Sequence, residues 1–204
     1  MIYLDNSATT KPHESVLQTF LQVNEHYYAN PASIHKAGVE ANDLLSRARQ
    51  QVASILNTEE KQVIFTSGGT ESNNFALQGI AKSSTHKGKH IIVSEIEHPS
   101  VLEAAKRLIT EGFDVEYLRV DENGKLSIEQ LVRIIRKDTI LVSVMHVNNE
   151  MGAISPIREM AQIIHEKSRA IFHVDAVQSF GKIPITFDGE NGPDILTVSG
   201  HKIN

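Results

Sequence analysis

The sequence predicts an α/β protein built on a mainly parallel sheet with helices covering both faces. Three observations predict it. Short apolar, β-branched runs recur from residue 62 onward, among them His90–Ser94, Thr139–Met145 and Asp194–Val198. Helical patterns of roughly ten to fifteen residues alternate with them, as the crossovers of βαβ units require. Finally, 204 residues with 40% hydrophobic and 22% charged side chains suffice for one large core.

Taken in order, residues 1–60 read as a helical segment of the same fold and residues 61–204 as the α/β domain. An apolar stub and a polar turn occupy residues 1–12. From Pro12 to about Tyr28, Val16, Leu17, Phe20, Leu21 and Val23 fall at helical spacing until Asn30-Pro31 breaks it. A second helix runs from about Ser33 to Leu56, with Val39, Leu44, Leu45, Ala48, Val52, Ile55 and Leu56 on its buried side. Strands are expected at Gln62–Thr66, His90–Ser94, Phe113–Val120, Thr139–Met145, Ala170–Val174 and Asp194–Val198. The helices between them are expected at Thr70–Lys82, Pro99–Glu111, Ser127–Arg136 and Pro156–Ser168. Right-handed crossovers place the carboxyl ends of such strands on one edge, where α/β sheets bind their ligands.

Composition narrows the function. A net charge of -5 without a long basic run argues against nucleic-acid or membrane-surface binding. With no cysteine, the chain forms neither a disulfide nor a thiolate metal site. Met1 leads directly into Ile-Tyr-Leu-Asp, and no apolar run approaches membrane-spanning length, so a cytoplasmic location is expected. His86 and His90 are four apart, but Gly88 and the polar surroundings read as a solvated loop, and no metal is expected. No GxGxxG pattern follows an early strand, which argues against a dinucleotide fold.

Unusual residues follow most of the strands. After Thr66 comes Ser67-Gly68-Gly69-Thr70-Glu71. Its glycines and helix start suit an anion, although an N-cap with a capping box reads equally well. His98 precedes a helix-opening proline and could stack on a planar ligand or shuttle protons, or be a half-exposed loop residue. Asn148-Asn149 reads first as turn chemistry, with one amide able to meet a ligand oxygen. Asp175 ends an apolar strand and needs a partner if buried; a helix cap is the alternative. Gln178 falls on the same side about one helical turn later. Last come Ser199-Gly200-His201-Lys202, directly after a strand, with an amine able to condense with an aldehyde.

One ligand satisfies the set. It has an aldehyde for Lys202, a phosphate for the Gly69-Thr70 helix start and a protonatable ring nitrogen for Asp175. It also offers a face to His98 and a phenolic oxygen to Gln178. That ligand is pyridoxal 5′-phosphate, whose sites pair a lysine with an acidic partner for the pyridinium.

The same residues carry a resemblance. YLDNSATT (3–10), NPASIH (30–35), FTSGGTESNN (65–74), EHPSV (97–101), HVNNEMG (146–152), HVDAVQSFGKI (173–183) and SGHK (199–202) span the chain. The chain resembles the NifS/IscS group of cysteine desulfurases, in the class V aminotransferase branch of fold type I pyridoxal-phosphate enzymes. The resemblance implies that Lys202 binds the cofactor aldehyde and moves the Cα proton, with His98 stacking on the ring as an acid or base. Asp175 would pair with the ring nitrogen and Gln178 with the phenolic oxygen. Gly69, Thr70, Ser199 and His201 would hold the phosphate, and Asn149 would lie by the cofactor and the substrate carboxylate.

The implied reaction converts L-cysteine to L-alanine, the sulfur passing to an enzyme cysteine as a persulfide. From there it would go to an acceptor for iron–sulfur cluster assembly or tRNA thiolation. A homodimer is implied as well. Members of the group run to nearly twice this length, so the chain is expected to be an amino-terminal portion, lacking the small domain, the persulfide cysteine and the arginine that clamps the substrate carboxylate. Two rival expectations are another class V enzyme (a selenocysteine lyase or aminotransferase) and a non-catalytic cofactor-binding or dimerisation module.

Overall fold

The computed structural model describes residues 2–185, 187, 189 and 191–204. Its strands are β1 (His90–Ser94), β2 (Asp114–Leu118), β3 (Thr139–Met145), β4 (Ile171–Asp175) and β5 (Ile195–Thr197). They form one sheet in the order β2-β1-β3-β4-β5. Every neighbouring pair is parallel. The helices are α1 (Glu14–His26), α2 (Lys36–Leu56), α3 (Gly69–Ser83), α4 (Pro99–Thr110), α5 (Ile128–Ile134) and α6 (Ile157–Lys167). The α/β class and the parallel sheet match the expectation, and all but one of the expected strands form: β1 and β3 at the expected bounds, β4 one residue later, and β2 and β5 with shorter ends.

Side chains alternate across the sheet, and each face buries its own core. Ile91, Val93 and Leu141 pack with Leu77 and Ala81 of α3 and with Val101, Ala105 and Leu108 of α4. Ile92, Val142, Val144, Phe172 and Val174 pack with Leu131 of α5 and with Met160 and Ile164 of α6. All residues of β1 and β3 are buried, as expected of strands with helices on both sides. The connection through α4 runs from β1 outward to β2 on one face. Those through α5 and α6 run the other way on the opposite face, as right-handed crossovers require. The strand order therefore reverses between β1 and β3, and such a switch point opens a crevice at the carboxyl edge.

Three expectations need correction. Gln62–Thr66 is not a strand: Glu60–Gln62 is a single 3₁₀ turn, and residues 63–66 are in no ladder among the described residues. Val63 has extended dihedrals, but β-rich composition makes a strand only where a neighbour offers its row of amides. Instead Ile64 and Phe65 stay exposed, the Arg49 guanidinium lies 5.0 Å from the Phe65 ring centre, and Arg49 donates to the Val63 carbonyl.

Secondly, Val39 and Ile55 of α2 are exposed rather than buried. The residues it buries are Gly38, Ala41 and Ala53. Close approach selects small residues: a Cβ on Gly38 would stand 2.3 Å from the Ser33 carbonyl oxygen. Helix α1 has the expected apolar spacing yet buries no residue. Thirdly, His90 is no solvated loop residue. It opens β1, is fully buried, and pairs through Nδ1 with Thr139 Oγ1 at 2.8 Å. Among the described residues there is no His/Asp/Glu cluster able to hold a metal, and no helix long and apolar enough to cross a membrane.

Candidate functional site

At the switch point lies a cavity of about 520 Å³, within the range of small-molecule and cofactor sites. All nine candidate residues, Gly69, Thr70, His98, Asn149, Asp175, Gln178, Ser199, His201 and Lys202, line it. Each follows a strand or opens the next helix, so the topology alone gathers segments more than a hundred residues apart.

Asp175, the last residue of β4, is 5% exposed. Its Oδ2 accepts from Asn73 Nδ2 at 2.7 Å and its Oδ1 from the Val177 amide at 2.9 Å. Burial raises its pKa, while those two hydrogen bonds and the charges of His98 and Lys202 pull it back. The alternative of a helix cap is not realised, since residues 176–180 form turns.

The network continues from Asn73 through Ser100 to His98. Asn73 Nδ2 also donates to Ser100 Oγ at 2.9 Å, and Ser100 Oγ lies 2.9 Å from His98 Nδ1. His98 Nδ1 further accepts from the Ser100 amide at 3.1 Å, capping α4. With Nδ1 an acceptor, the network assigns the ring proton to Nε2. His98 is therefore both the cap of α4 and a cavity residue, oriented by a relay that starts at Asp175.

Lys202 sits in a single 3₁₀ turn, Gly200–Lys202, and is half-buried. Its Nζ donates to the Ala8 carbonyl at 2.7 Å and to that of Ser7. Burial and the neighbouring Lys182 lower its pKa, opposed by Asp5 and Asp175, which favours the neutral amine a nucleophile needs. The Ser7–Thr10 turn is held from several sides. Gln178 Nε2 donates to the Ser7 carbonyl at 2.9 Å, and the Thr10 amide to the His201 carbonyl at 2.9 Å. His201 Nδ1 lies 3.1 Å from Thr9 Oγ1, and burial followed by Lys202 lowers its pKa.

The start of α3 lines the same cavity. Its N-cap is Gly68, not Thr70, and no side chain caps it. Glu71 is used upstream, accepting from the Ser67 amide at 2.5 Å, so the first-turn amides remain available to an anion. Gly69 is closely packed: a Cβ there would meet Val177 Cγ2 at 3.2 Å and Ser199 Cβ at 3.7 Å. The two asparagines divide their work. Asn148 is buried and makes the turn, accepting from the Glu150 and Met151 amides at 2.9 and 2.8 Å and donating to the Ile96 carbonyl at 3.0 Å. Asn149 is left facing the cavity.

Asn73, Ser100, Ser7 and Ala8 were not among the sequence candidates, yet they line the cavity. Asn73 carried a signal, being one helical turn after Gly69; the Ser7-Ala8 pair lies within the YLDNSATT segment of the resemblance, but it precedes the strand–helix alternation and so had no place at the sheet edge. The set fits pyridoxal 5′-phosphate. A buried carboxylate whose two oxygens have one N–H donor each can take a ring cation, uncapped amides can take a phosphate, and a lysine of lowered pKa can take an aldehyde.

The chain matches the protein family described as Aminotransferase class-V over residues 2–204. It is 44% identical over 201 residues to the cysteine desulfurase IscS of Dictyoglomus turgidum, which covers 98% of this chain and 50% of that protein. A solved structure titled NifS-like protein superimposes with a TM-score of 0.95 at 39% identity, covering 98% of this chain and 55% of the other. Another, titled SspA in complex with cysteine, superimposes with a TM-score of 0.93 at 36% identity, covering 99% and 58%. The chain thus spans about half the length of the curated relatives it matches.

Proposed function

Since the chain belongs to the class-V aminotransferase family, we propose that it supplies the pyridoxal 5′-phosphate site of a cysteine desulfurase. The observation that carries this reading is that Lys202, buried Asp175 and the uncapped start of α3 line one cavity. The names of its relatives support cysteine as the substrate.

In this reading Lys202, held by the Ser7 and Ala8 carbonyls, would hold the cofactor through its aldehyde and would serve as the base that moves the proton at the substrate's Cα. Asp175, whose two oxygens each accept one N–H, would pair with a protonated ring nitrogen, whose positive charge would favour its carboxylate form. Bound there, the cofactor supplies a ring that takes up the electron pair released at Cα. His98, which lines the cavity with Nδ1 engaged by the Ser100 amide, would stack on the ring and offer its Nε2 proton for transfer. The α3 amides, Thr70, Ser199 and His201 bind the phosphate; Gln178 donates to the phenolic oxygen; Asn149 orients the cofactor and the substrate carboxylate. The sulfur passes to a cysteine outside these 204 residues, which contain none. From that persulfide it goes to an acceptor protein of iron–sulfur assembly or tRNA thiolation. The assembly is a homodimer and the location cytoplasmic.

The test is borohydride reduction of cofactor-loaded protein followed by peptide mass mapping. A label on Lys202 that is lost in Lys202→Ala supports the site, and a folded protein with no label there refutes it. Incubation of the full-length enzyme with L-cysteine is expected to yield alanine in step with sulfide. The absence of cysteine favours a second reading, a non-catalytic cofactor-binding module. That reading expects the label without turnover.

A further inference from the structure

Beneath the cavity floor lies a carboxyl group the proposed chemistry does not use. Glu97 is 4% exposed, directly before His98. Strand β1 ends at Ser94, and the chain then turns away, the Glu95 amide pairing with the Leu118 carbonyl of β2. The Met145 amide, at the end of β3, is thereby left without a ladder acceptor on the β1 side. Glu97 Oε1 replaces it, accepting from Met145 N at 2.5 Å and from the Ser94 hydroxyl. Met145 in turn stands beside Asp175 in the β3–β4 register and lines the cavity.

Resting on the function proposed above, we propose that Glu97 is a positioning residue for the cofactor site: it fastens the ends of β1 and β3 and so sets His98 and Asp175 at their places. Its second oxygen, Oε2, is buried without a hydrogen-bond partner, a position that suits a carboxylic acid and not a carboxylate. The groups facing Glu97 are the Ser94 hydroxyl from β1, the Met145 amide from β3 and the Asp175 carboxyl from β4. Burial, the largest influence, and the Asp175 charge outweigh the two hydrogen bonds and raise its pKa from 4.5 to about 8. A neutral Glu97 sets no second negative charge against Asp175.

The sign of the pH effect follows. A carboxyl held neutral in the fold stabilises fully below pH 4.5, and that contribution is lost as pH rises through about 8. Urea unfolding of the cofactor-free chain between pH 6 and 9 is expected to show this decline in wild type and a flat profile in Glu97→Gln. With cofactor bound, Glu97→Gln is expected to bind within about twofold of wild type and Glu97→Ala about tenfold or more weakly, because its Met145 amide has no acceptor. The visible absorbance of the bound cofactor is expected to lose an inflection near pH 8 in Glu97→Gln, a change that a purely structural carboxyl would not produce. An alkaline decline that persists in Glu97→Gln, or cofactor binding weakened equally in Gln and Ala variants, overturns the proposal. A wild type that takes up no cofactor refutes the function reading instead, and the cofactor-free titration then decides on Glu97 alone.

Discussion

Asn73 shows how one amide organises two residues of the site. It donates to Asp175 and to Ser100, and through Ser100 it orients His98. Replacing it with alanine leaves the buried Asp175 Oδ2 without its donor, so Asn73→Ala is expected to lower stability at pH 7 by about 1–3 kcal/mol. Chemical denaturation measures that loss, and weaker cofactor binding should accompany it. His173, two residues before Asp175, is fully buried between Ser143 Oγ at 2.8 Å and Thr197 Oγ1 at 3.0 Å. Burial lowers its pKa from 6.5 to about 4. The unfolded chain therefore takes up a proton there first. The stability His173 contributes is complete above pH 6.5 and is lost as pH falls towards 4, by roughly 3 kcal/mol. Unfolding free energies measured from pH 7 down to 4 test this, and His173→Asn is expected to flatten the decline.

Among the elements, α3 carries the anion-binding argument. Its open first turn depends on Gly69 fitting against Val177 and Ser199. Gly69→Val is expected to weaken cofactor binding about tenfold while costing about 1–3 kcal/mol of stability through overpacking; a spectroscopic binding titration and a melting curve separate the two. The parallel sheet was legible in the sequence because β1 and β3 are apolar throughout and bounded by turns. The site was legible because most of its chemistry-bearing residues end a strand, follow one closely or open a helix. The strand expected at residues 62–66 and the buried side expected of α2 were misread for one reason: composition records what a segment can pack against, not whether a partner is present. Residues 63–66 have strand character without a ladder, and α1 has an apolar face with no residue buried. Asn148 against Asn149 was a choice of neighbours, and only the backbone turn decides which amide faces inward.

For the molecule as a whole, the two buried groups of opposite sign define a pH profile. Loss from His173 begins below pH 6.5, and loss from Glu97 begins above pH 4.5. The two slopes cancel between these values, so the cofactor-free chain is expected to show a stability plateau there and to weaken on either side. Calorimetry across pH 4 to 9 checks it. The clasp between Lys202 and the Ser7 carbonyl has a different consequence, because it joins residues 195 positions apart. Contacts so distant in sequence bear the full entropy of closing the chain and are disfavoured early in folding. A ribosome must release every residue through Lys202 before this clasp can shut. Until then the reactive amine stays unsheltered, although β1 to β5 have already emerged ahead of it.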